Sequence, residues 1–226
     1  MLLELGGKAP LNGRDQGALS AAAAGLAGSI AVPGDVTKPD AARQVVDRAV
    51  AAFGTLDVLI CNVGGGRSVA PGDETPDEWQ LMFALNLWSA TNTVEAARPA
   101  LAASKGAIVC VSSICGQEVV ADAPVTYSVA KAPLDAYVRG LARPLGREAI
   151  RINAVAPGNI LFDGSVWSRK LAEDAYGVQA LLAREVALGR LGTPREVAEL
   201  VAYLASPRAA FATGAVWTLD GGQVRT

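Results

Sequence analysis

The residues best suited to acid–base chemistry are a tyrosine and a lysine four positions apart, in the stretch TYSVAK. Tyr127 and Lys131 stand at the start of a helical pattern, and residues i and i+4 of a helix share one face about 5–6 Å apart. A lysine ammonium favours the phenolate, so we expect it to lower the Tyr127 pKa from about 10 toward a useful acid–base range. The chain contains no histidine, which excludes Ser-His-Asp catalysis.

Two polar residues occur in apolar segments upstream of this pair. Ser113 closes the run AIVCVSS, where a strand end brings its hydroxyl beside the phenol, and Asn86 lies in the helical stretch ALNLWS. Taken singly, Ser113 also fits a strand-ending serine, and Asn86 fits an amide satisfied inside a helix. Combined with Tyr127 and Lys131, they predict a site that binds a substrate carbonyl or alcohol.

The elements that must position these residues are short apolar runs alternating with longer amphipathic stretches. SIAVPGDV is followed by DAARQVVDRAVAAFG and LDVLICNVG, and a last cycle, PREVAELVAYLAS then GAVWTLDGG, ends the pattern. Strands without polar alternation are buried on both faces, and intervening helices indicate parallel crossovers. We therefore predict one α/β domain over residues 1–226, built on a doubly wound parallel sheet.

One segment, 160–188, interrupts this alternation at the carboxyl end of a strand. Ligands bind outside those ends in open α/β sheets, so we predict that the segment is a substrate lid. An ordinary surface helix pair is the alternative. The apolar residues of the segment favour an apolar or aromatic small-molecule substrate; they are Phe162, Val166, Trp167, Tyr176, Leu181 and Leu182.

Composition narrows the possible partners and location. Hydrophobic residues make up 51% of the chain and charged residues 19%, with a net charge of −2, so we expect a folded protein that binds neither nucleic acid nor a membrane. No apolar run approaches the ~20 residues that span a bilayer. Cys61, Cys110 and Cys115 lack metal-ligand spacing, which predicts buried thiols in the cytoplasm and no metal site.

Further motifs occur in a fixed order along the chain: GDVT at 34–37, ICNVGGG from Ile60, AVAPGN at 154–159 and TGAVWTLDGG near the end. Together with the residues above, they resemble the short-chain dehydrogenase/reductase family from about Gly7 to Gly222. The resemblance implies a Rossmann-like fold and an oxidoreductase whose catalytic residues are Asn86, Ser113, Tyr127 and Lys131.

By that resemblance each of the four residues has a role. Tyr127 would protonate or deprotonate the substrate oxygen, which Ser113 would position. Lys131 would lower the tyrosine pKa and hold the nicotinamide ribose, while Asn86 would anchor a water in a proton relay.

The resemblance also implies NADP, or NAD, as the cofactor. Asp35 would meet the adenine ring, and Arg14 of NGRD would read the NADP 2′-phosphate, since no acidic residue precedes it. The whole cofactor-binding set implied is Arg14, Asp35, Val36, Asn62, Gly64, Tyr127, Lys131, Pro157, Gly158 and Ile160.

The chain departs from the family at its amino end. KAPLNGRD resembles the second strand of the family, and no turn of the type T-G-x-x-x-G-x-G occurs in the sequence. We therefore expect the first strand–helix unit to be missing, which would expose two strand edges, with residues 1–5 packed into the gap or against another subunit. That turn brings backbone N–H groups to the pyrophosphate, so we expect NADP binding to be impaired or absent.

Three functions are compatible with these observations. The first is an oxidoreductase with impaired cofactor binding, and the second is a cofactor-independent lyase or isomerase that uses the same acid–base residues. The third is a non-catalytic oligomeric protein. Members of the family assemble through helices matched here by residues 77–103 and 126–147, so we expect a homodimer or homotetramer.

Overall fold

Six strands alternate with eight α-helices in the computed structural model, which describes residues 1–121 and 123–225. The strands are β1 (Ala9–Gly13), β2 (Ser29–Pro33), β3 (Val58–Cys61), β4 (Ala107–Val111), β5 (Arg151–Pro157) and β6 (Val216–Leu219). The helices are α1 (Gln16–Ala24), α2 (Pro39–Phe53), α3 (Pro76–Phe83), α4 (Ser89–Ser104), α5 (Val125–Gly146), α6 (Val166–Glu173), α7 (Ala175–Glu185) and α8 (Pro194–Ala205).

All the strand pairs are parallel, as the sequence predicts, but the strands form two sheets instead of one. β1 pairs with β2, and the other four strands follow the order β3-β4-β5-β6. β1 and β3 are not hydrogen-bonded to each other, because a cavity of about 950 Å³ lies between them and is lined by both. The α/β fold with helices and parallel strands is confirmed, and the sheet is divided between β1 and β3, where the sequence analysis expects two exposed strand edges.

The central strand β4 explains why the run AIVCV shows no polar alternation. Ile108 packs with Leu134 of α5 on one face of the sheet, while Val109 packs with Val201 and Leu204 of α8 on the other. Ile108 and Val109 are completely buried. A strand covered by helices on both faces takes apolar residues at every position.

Helix α5 carries two of the predicted catalytic residues. It continues as one helix through Pro133 and Pro144, although each proline lacks the N–H that a helix interior normally uses. Tyr127 and Lys131 both precede Pro133, so they occupy the first two turns of the helix. Their spacing therefore gives the shared face that the sequence predicts.

The predicted lid segment, 160–188, leaves the sheet after β5 and returns close to the point where it left. The Leu161 amide donates to the Gly192 carbonyl at 2.8 Å, and Ile160 forms a parallel bridge with Gly192. Helices α6 and α7 pack on each other through a small apolar cluster that includes Val178 and Leu182. The segment is thus anchored at its base, and its role as a lid stays a prediction.

Residues 1–5 form a turn that borders the cavity between the two sheets. The Gly7 amide donates to the Leu2 carbonyl at 3.0 Å, and Leu2 and Leu5 line the cavity. No strand forms there, and Leu5 remains 70% exposed. The turn therefore lies against the gap without filling it.

Two glycines provide a test of this packing. A Cβ atom at Gly106, just before β4, would lie 2.5 Å from the Asp57 carbonyl oxygen and 2.7 Å from Leu101 Cδ2. We expect Gly106→Ala to lower the free energy of unfolding by about 1–3 kcal/mol through overpacking. Gly140→Ala in α5 is the matched control, because nothing lies within 4 Å of its added Cβ, and it should raise that free energy by about 0.5–1 kcal/mol. Urea unfolding measures both; equal effects would contradict the packing.

Candidate active site

Ser113 and Tyr127 are brought together by the end of β4 and the start of α5. Ser113 follows β4 in an extended conformation and caps a short 3-10 turn, where its hydroxyl accepts from the Cys115 amide at 3.2 Å. It is 7% exposed. Tyr127 lies in the first turn of α5. The Ser113 hydroxyl lies close enough to the Tyr127 phenol to act on its pKa, so the two groups lie together beyond the carboxyl end of β4.

The ionisation of Tyr127 differs from the sequence-based expectation. Burial raises the pKa of Tyr127 to about 12, and hydrogen bonding from Ser113 only partly opposes that rise. The predicted lowering by Lys131 is therefore wrong for this structure. The physical reason is that burial disfavours the phenolate, while the Lys131 ammonium lies 5.9 Å from the centre of the tyrosine ring and is hydrogen-bonded elsewhere.

Lys131 is a buried cation held by the strand that precedes Ser113. Its side chain is 3% exposed, and its Nζ donates to the Val111 carbonyl at 2.8 Å. Burial lowers the pKa of Lys131 to about 8, against the opposing effects of Cys110, Asp135 and Cys115. The lysine thus changes charge just above neutral pH.

Asn86 fixes the loop that follows β3. It lies in a π-helical turn, Ala84–Trp88, between α3 and α4, and is 1% exposed. Its Oδ1 accepts from the Gly65 amide at 3.0 Å, and its Nδ2 donates to the carbonyls of Gly65 and Met82, each at 3.1 Å. Both ends of the amide are therefore bonded, and two of these bonds hold Gly65.

The glycines of this loop let its backbone run directly beside the other site residues. A Cβ at Gly64 would lie 2.9 Å from Asn86 Oδ1 and 3.1 Å from Lys131 Nζ, and a Cβ at Gly66 would lie 3.5 Å from the Tyr127 ring. The loop thus links three of the four predicted catalytic residues, and Tyr127 in turn neighbours Ser113.

A buried carboxyl group behind Lys131 was not predicted. Asp135 is 1% exposed, and neither of its oxygens makes a hydrogen bond to any described residue. Burial raises the pKa of Asp135, and Ser112, Arg139 and Lys131 act against that rise. The signal available in the sequence was an acidic residue four positions after Lys131, on the same helical face.

The residues predicted for the adenine end of a cofactor lie beyond β1 and β2. The Asp35 carboxylate accepts from the Thr37 hydroxyl at 2.7 Å and from the Thr37 amide at 3.1 Å. These bonds, with Arg14 and Lys38, lower the pKa of Asp35. Arg14 is exposed just after β1, and the buried Val36 receives a hydrogen bond on its carbonyl from Asn92 Nδ2 at 3.2 Å.

The remaining predicted cofactor residues lie beyond β3 and β5. Asn62 is exposed directly after β3, and Pro157 ends β5. Gly158 donates its amide to the Leu219 carbonyl at 3.0 Å, and a Cβ there would lie 2.7 Å from Asp220 Cβ. Only glycine fits that position. With Ile160 at the base of 160–188, all these residues lie on the side of the sheet where α/β proteins bind ligands.

Metal-binding clusters and membrane-spanning helices are both absent from residues 1–121 and 123–225. Three or more His, Cys, Asp or Glu side chains do not come together there in a group that could hold a metal ion. No helix in the same ranges is long and apolar enough to cross a membrane.

A parallel α/β fold with serine, tyrosine, lysine and asparagine converging beyond its strands defines a class of oxidoreductases, and the comparisons agree. A family model described as enoyl-(acyl carrier protein) reductase matches residues 9–223. A cis-4-hydroxycyclohexanecarboxylate dehydrogenase from Sinomonas cyclohexanicum is 40% identical over 190 residues, 83% of this chain and 74% of that protein. A putative ketoacyl reductase of granaticin polyketide synthase from Streptomyces violaceoruber is 38% identical over 205 residues, 88% of this chain and 79% of that one. The chain belongs to the short-chain dehydrogenase/reductase family.

Solved structures show the same likeness. A short chain oxidoreductase from Pseudomonas aeruginosa PAO1, NADPH-bound and with an atypical catalytic center, has a TM-score of 0.91 and 28% identity. The match covers 100% of this chain and 90% of that one. L-sorbose reductase from Gluconobacter frateurii, complexed with NADPH and L-sorbose, has a TM-score of 0.89 and 28% identity over 97% of this chain and 88% of that one.

The buried lysine leads to a prediction about stability and pH. Its pKa of about 8 lies below the 10.5 of a free lysine, so the unfolded chain binds more protons between those values and stability rises with pH through that range. The rise should be about 3 kcal/mol, at 1.36 kcal/mol per pH unit. Lys131→Met should abolish it.

Chemical denaturation from pH 7 to pH 10.5 measures this effect. The stability of Lys131→Met relative to wild type should fall steadily as the pH increases. Lys38→Met, at an exposed lysine, is the control for removal of a lysine charge that the fold does not bury. A pH-independent difference between Lys131→Met and wild type would contradict the burial of a titrating ammonium.

Proposed function

We propose that this protein interconverts a carbonyl and an alcohol on a small apolar substrate, with Tyr127 as the acid and base. The observation that carries this proposal is the convergence of Ser113, Tyr127, Lys131 and Asn86 around the loop 64–66. These groups suit a reaction in which charge develops on one substrate oxygen.

In the direction of carbonyl reduction, the substrate oxygen lies between two hydroxyl groups. Ser113 donates a hydrogen bond to the carbonyl oxygen, and the Tyr127 O–H gives its proton to that oxygen as negative charge develops there. A phenol with a pKa of about 12 stays protonated at neutral pH, which suits the role of acid. NADPH, when bound, supplies the hydride that adds to the carbonyl carbon, so the product is the neutral alcohol.

Lys131 acts on the tyrosine after proton transfer. Its ammonium, held by the Val111 carbonyl, stabilises the phenolate that remains, and its pKa of about 8 lets it pass a proton back near neutral pH. Asn86 keeps the loop at Gly65 in place beside both groups. In alcohol oxidation the same groups act in reverse order, with Tyr127 as the base.

The residues at the two ends of the site fit the two ends of a nicotinamide dinucleotide. Gly64 leaves open a space beside Lys131 Nζ that a Cβ would fill, and in that space the lysine N–H groups can bond the hydroxyls of a ribose. Arg14, beside Asp35, offers the cation that a 2′-phosphate requires. Asn62, Val36, Pro157, Gly158 and Ile160 would complete the binding surface.

The diphosphate that would lie between those ends has few groups in this chain to bind it. The sequence has no T-G-x-x-x-G-x-G turn, and a cavity lies between β1 and β3, where we propose that the first strand–helix unit of the family is missing. Losing about three hydrogen bonds to a charged phosphate, each worth roughly 1.5–3 kcal/mol, weakens binding from about micromolar to about millimolar or beyond. We therefore propose that this chain binds NADP weakly.

The substrate class follows from the segment 160–188 and from the relatives. Phe162 and Tyr176 are exposed on this segment, which supports its role as a lid over an apolar substrate. The relatives act, by name, on a hydroxycyclohexanecarboxylate and on ketoacyl groups. We propose a cyclic or aromatic ketone or alcohol as substrate. The exposed apolar side chains Leu81 and Trp88 support assembly of a homodimer or homotetramer.

Replacing the tyrosine tests the reaction. Tyr127→Phe removes the transferable proton and should lower kcat/KM for NADPH-dependent reduction of a cyclohexanone panel by about 10²–10⁴-fold, with the fold retained. Tyr203→Phe, at an exposed tyrosine of α8, should retain full activity. Activity is followed by NADPH absorbance.

The outcome distinguishes the alternatives. Undiminished reduction by Tyr127→Phe would contradict the proposal. Proton abstraction or elimination that needs no NADPH, but needs Tyr127, would instead assign the site to a lyase or isomerase.

Cofactor affinity is tested by titration. The wild-type chain should bind NADPH with a Kd of about 1 mM, and Arg14→Ala should weaken NADPH binding about tenfold, equivalent to one charged hydrogen bond, while leaving NADH binding unchanged. Arg43→Ala, at an exposed arginine of α2, is the control. Micromolar NADPH binding by the wild-type chain would contradict the proposed weakness, and equal effects on NADH would contradict the role of Arg14.

A further inference from the structure

Asp135 is a buried acidic residue with no part in the reaction steps proposed above. Its side chain is 1% exposed, and neither carboxyl oxygen makes a hydrogen bond to any described residue. Burying a carboxyl group without such partners is unfavourable, so its presence calls for an explanation. We propose, on the basis of the proposed function, that Asp135 is a further positioning residue. Its carboxylate is the buried counter-charge that keeps the Lys131 ammonium protonated beside Tyr127 at neutral pH.

The helix places the two charges close together without direct contact. Lys131 and Asp135 lie one turn apart on the same face of α5, and both are buried. The Lys131 Nζ donates to the Val111 carbonyl at 2.8 Å and makes no hydrogen bond to the carboxyl group. Away from water, opposite charges attract each other beyond hydrogen-bond distance. Asp135 can therefore act on Lys131 through space.

The end of β4 fixes the surroundings of both side chains. The Val111 carbonyl holds Lys131, and the next residue, Ser112, lies near enough to Asp135 to act on its carboxyl group, although the two form no hydrogen bond. Ser112 is 4% exposed, and its amide donates to the Val155 carbonyl of β5 at 2.7 Å. The lysine and the aspartate thus face two successive residues whose backbone is tied to the sheet.

Three groups favour the charged form of Lys131 against the effect of burial, which lowers its pKa to about 8. They are Cys110 of β4, Asp135 and Cys115. Thiols are mainly neutral at pH 7, whereas carboxyl groups are mainly ionised there, and burial raises the pKa of Cys115 further. The Tyr127 phenol, whose ring centre lies 5.9 Å from Nζ, has a pKa of about 12 and is neutral as well. Asp135 therefore provides the negative charge at neutral pH.

The groups around Asp135 favour its ionised form. Burial raises the pKa of Asp135, and Ser112, Arg139 and Lys131 act against that rise. Arg139 follows one turn later on α5 and is exposed, so Lys131 is the buried cation of the two. The charges on Lys131 and Asp135 therefore stabilise each other inside the fold.

Asp135→Asn tests this inference, because it removes the charge and keeps the shape of the side chain. In an NMR titration of ¹³C-labelled lysine side chains, the Lys131 pKa should be at least about one pH unit lower in the variant than in wild type. Asp135→Leu should lower it as well, since the effect depends on the charge. Asp47→Asn, at an exposed acidic residue of α2, is the control and should leave the Lys131 pKa unchanged.

The reciprocal effect gives a second measurement that needs no Asp135 variant. Because the coupling of two titrating groups is mutual, Lys131→Met should raise the Asp135 pKa by at least about one pH unit. The titration is followed by ¹³C NMR of labelled aspartate carboxyl groups. Lys38→Met, at an exposed lysine, should leave the Asp135 pKa unchanged.

Turnover gives a readout that a purely structural role would not move. The fall of kcat for NADPH-dependent reduction with rising pH should begin at least about one pH unit lower in Asp135→Asn than in wild type, because the ammonium that stabilises the Tyr127 phenolate is lost earlier. Activity should recover at lower pH. The two NMR titrations need no turnover, so an inactive wild-type chain would contradict the proposed function while those titrations still decide on the counter-charge.

Three results would overturn the proposal. The first is an unchanged Lys131 pKa in Asp135→Asn, and the second is an unchanged Asp135 pKa in Lys131→Met. The third is a lowered Lys131 pKa in Cys110→Ala with no change in Asp135→Asn, which would assign the counter-charge to the thiol.

Discussion

The site depends on one physical constraint, an ammonium group that the surrounding fold keeps out of water. Lys131 is buried, and the single hydrogen bond of its Nζ to a described residue goes to the Val111 carbonyl at the end of β4. Burial of the charged ammonium is unfavourable because it loses its hydration, and this desolvation lowers the Lys131 pKa to about 8. Helix α5 carries Tyr127 one turn earlier, and in the function proposed above the buried ammonium would stabilise the phenolate of that residue. Burial of the Lys131 ammonium thus lowers the stability of the fold, while the proposed reaction requires that ammonium beside Tyr127.

The surroundings of the lysine show how the backbone builds the site. Gly64 passes so close to Asn86 and Lys131 that a side chain would collide with both. Asn86 in turn bonds both polar groups of Gly65. The buried carboxyl of Asp135 lies one turn beyond Lys131 and makes no hydrogen bond within the described residues. A lysine that changes charge near neutrality is therefore set between a glycine loop on one side and an acidic group on the other.

The structural features that could be predicted from the sequence are those set by the local spacing of residues. The four-residue interval between Tyr127 and Lys131 fixes a shared helical face, and the unbroken apolar run of β4 predicts a strand covered on both faces. Those features depend on neighbours in the chain. The pKa of Tyr127 was predicted in the wrong direction, because it depends on burial by Gly66 and other residues distant in sequence. The division of the sheet into two parts also arises from distant pairing, which apolar runs do not specify.

The central claim is that a buried Lys131 ammonium titrates near neutral pH. The direct measurement is a pH titration of the protein with ¹³C-labelled lysine side chains, followed by NMR, with Lys131→Met used to assign the Lys131 resonance. The account predicts one lysine resonance with a pKa of about 8 that is absent from the variant. A Lys131 resonance with the pKa of a solvated lysine side chain, about 10.4, would contradict it.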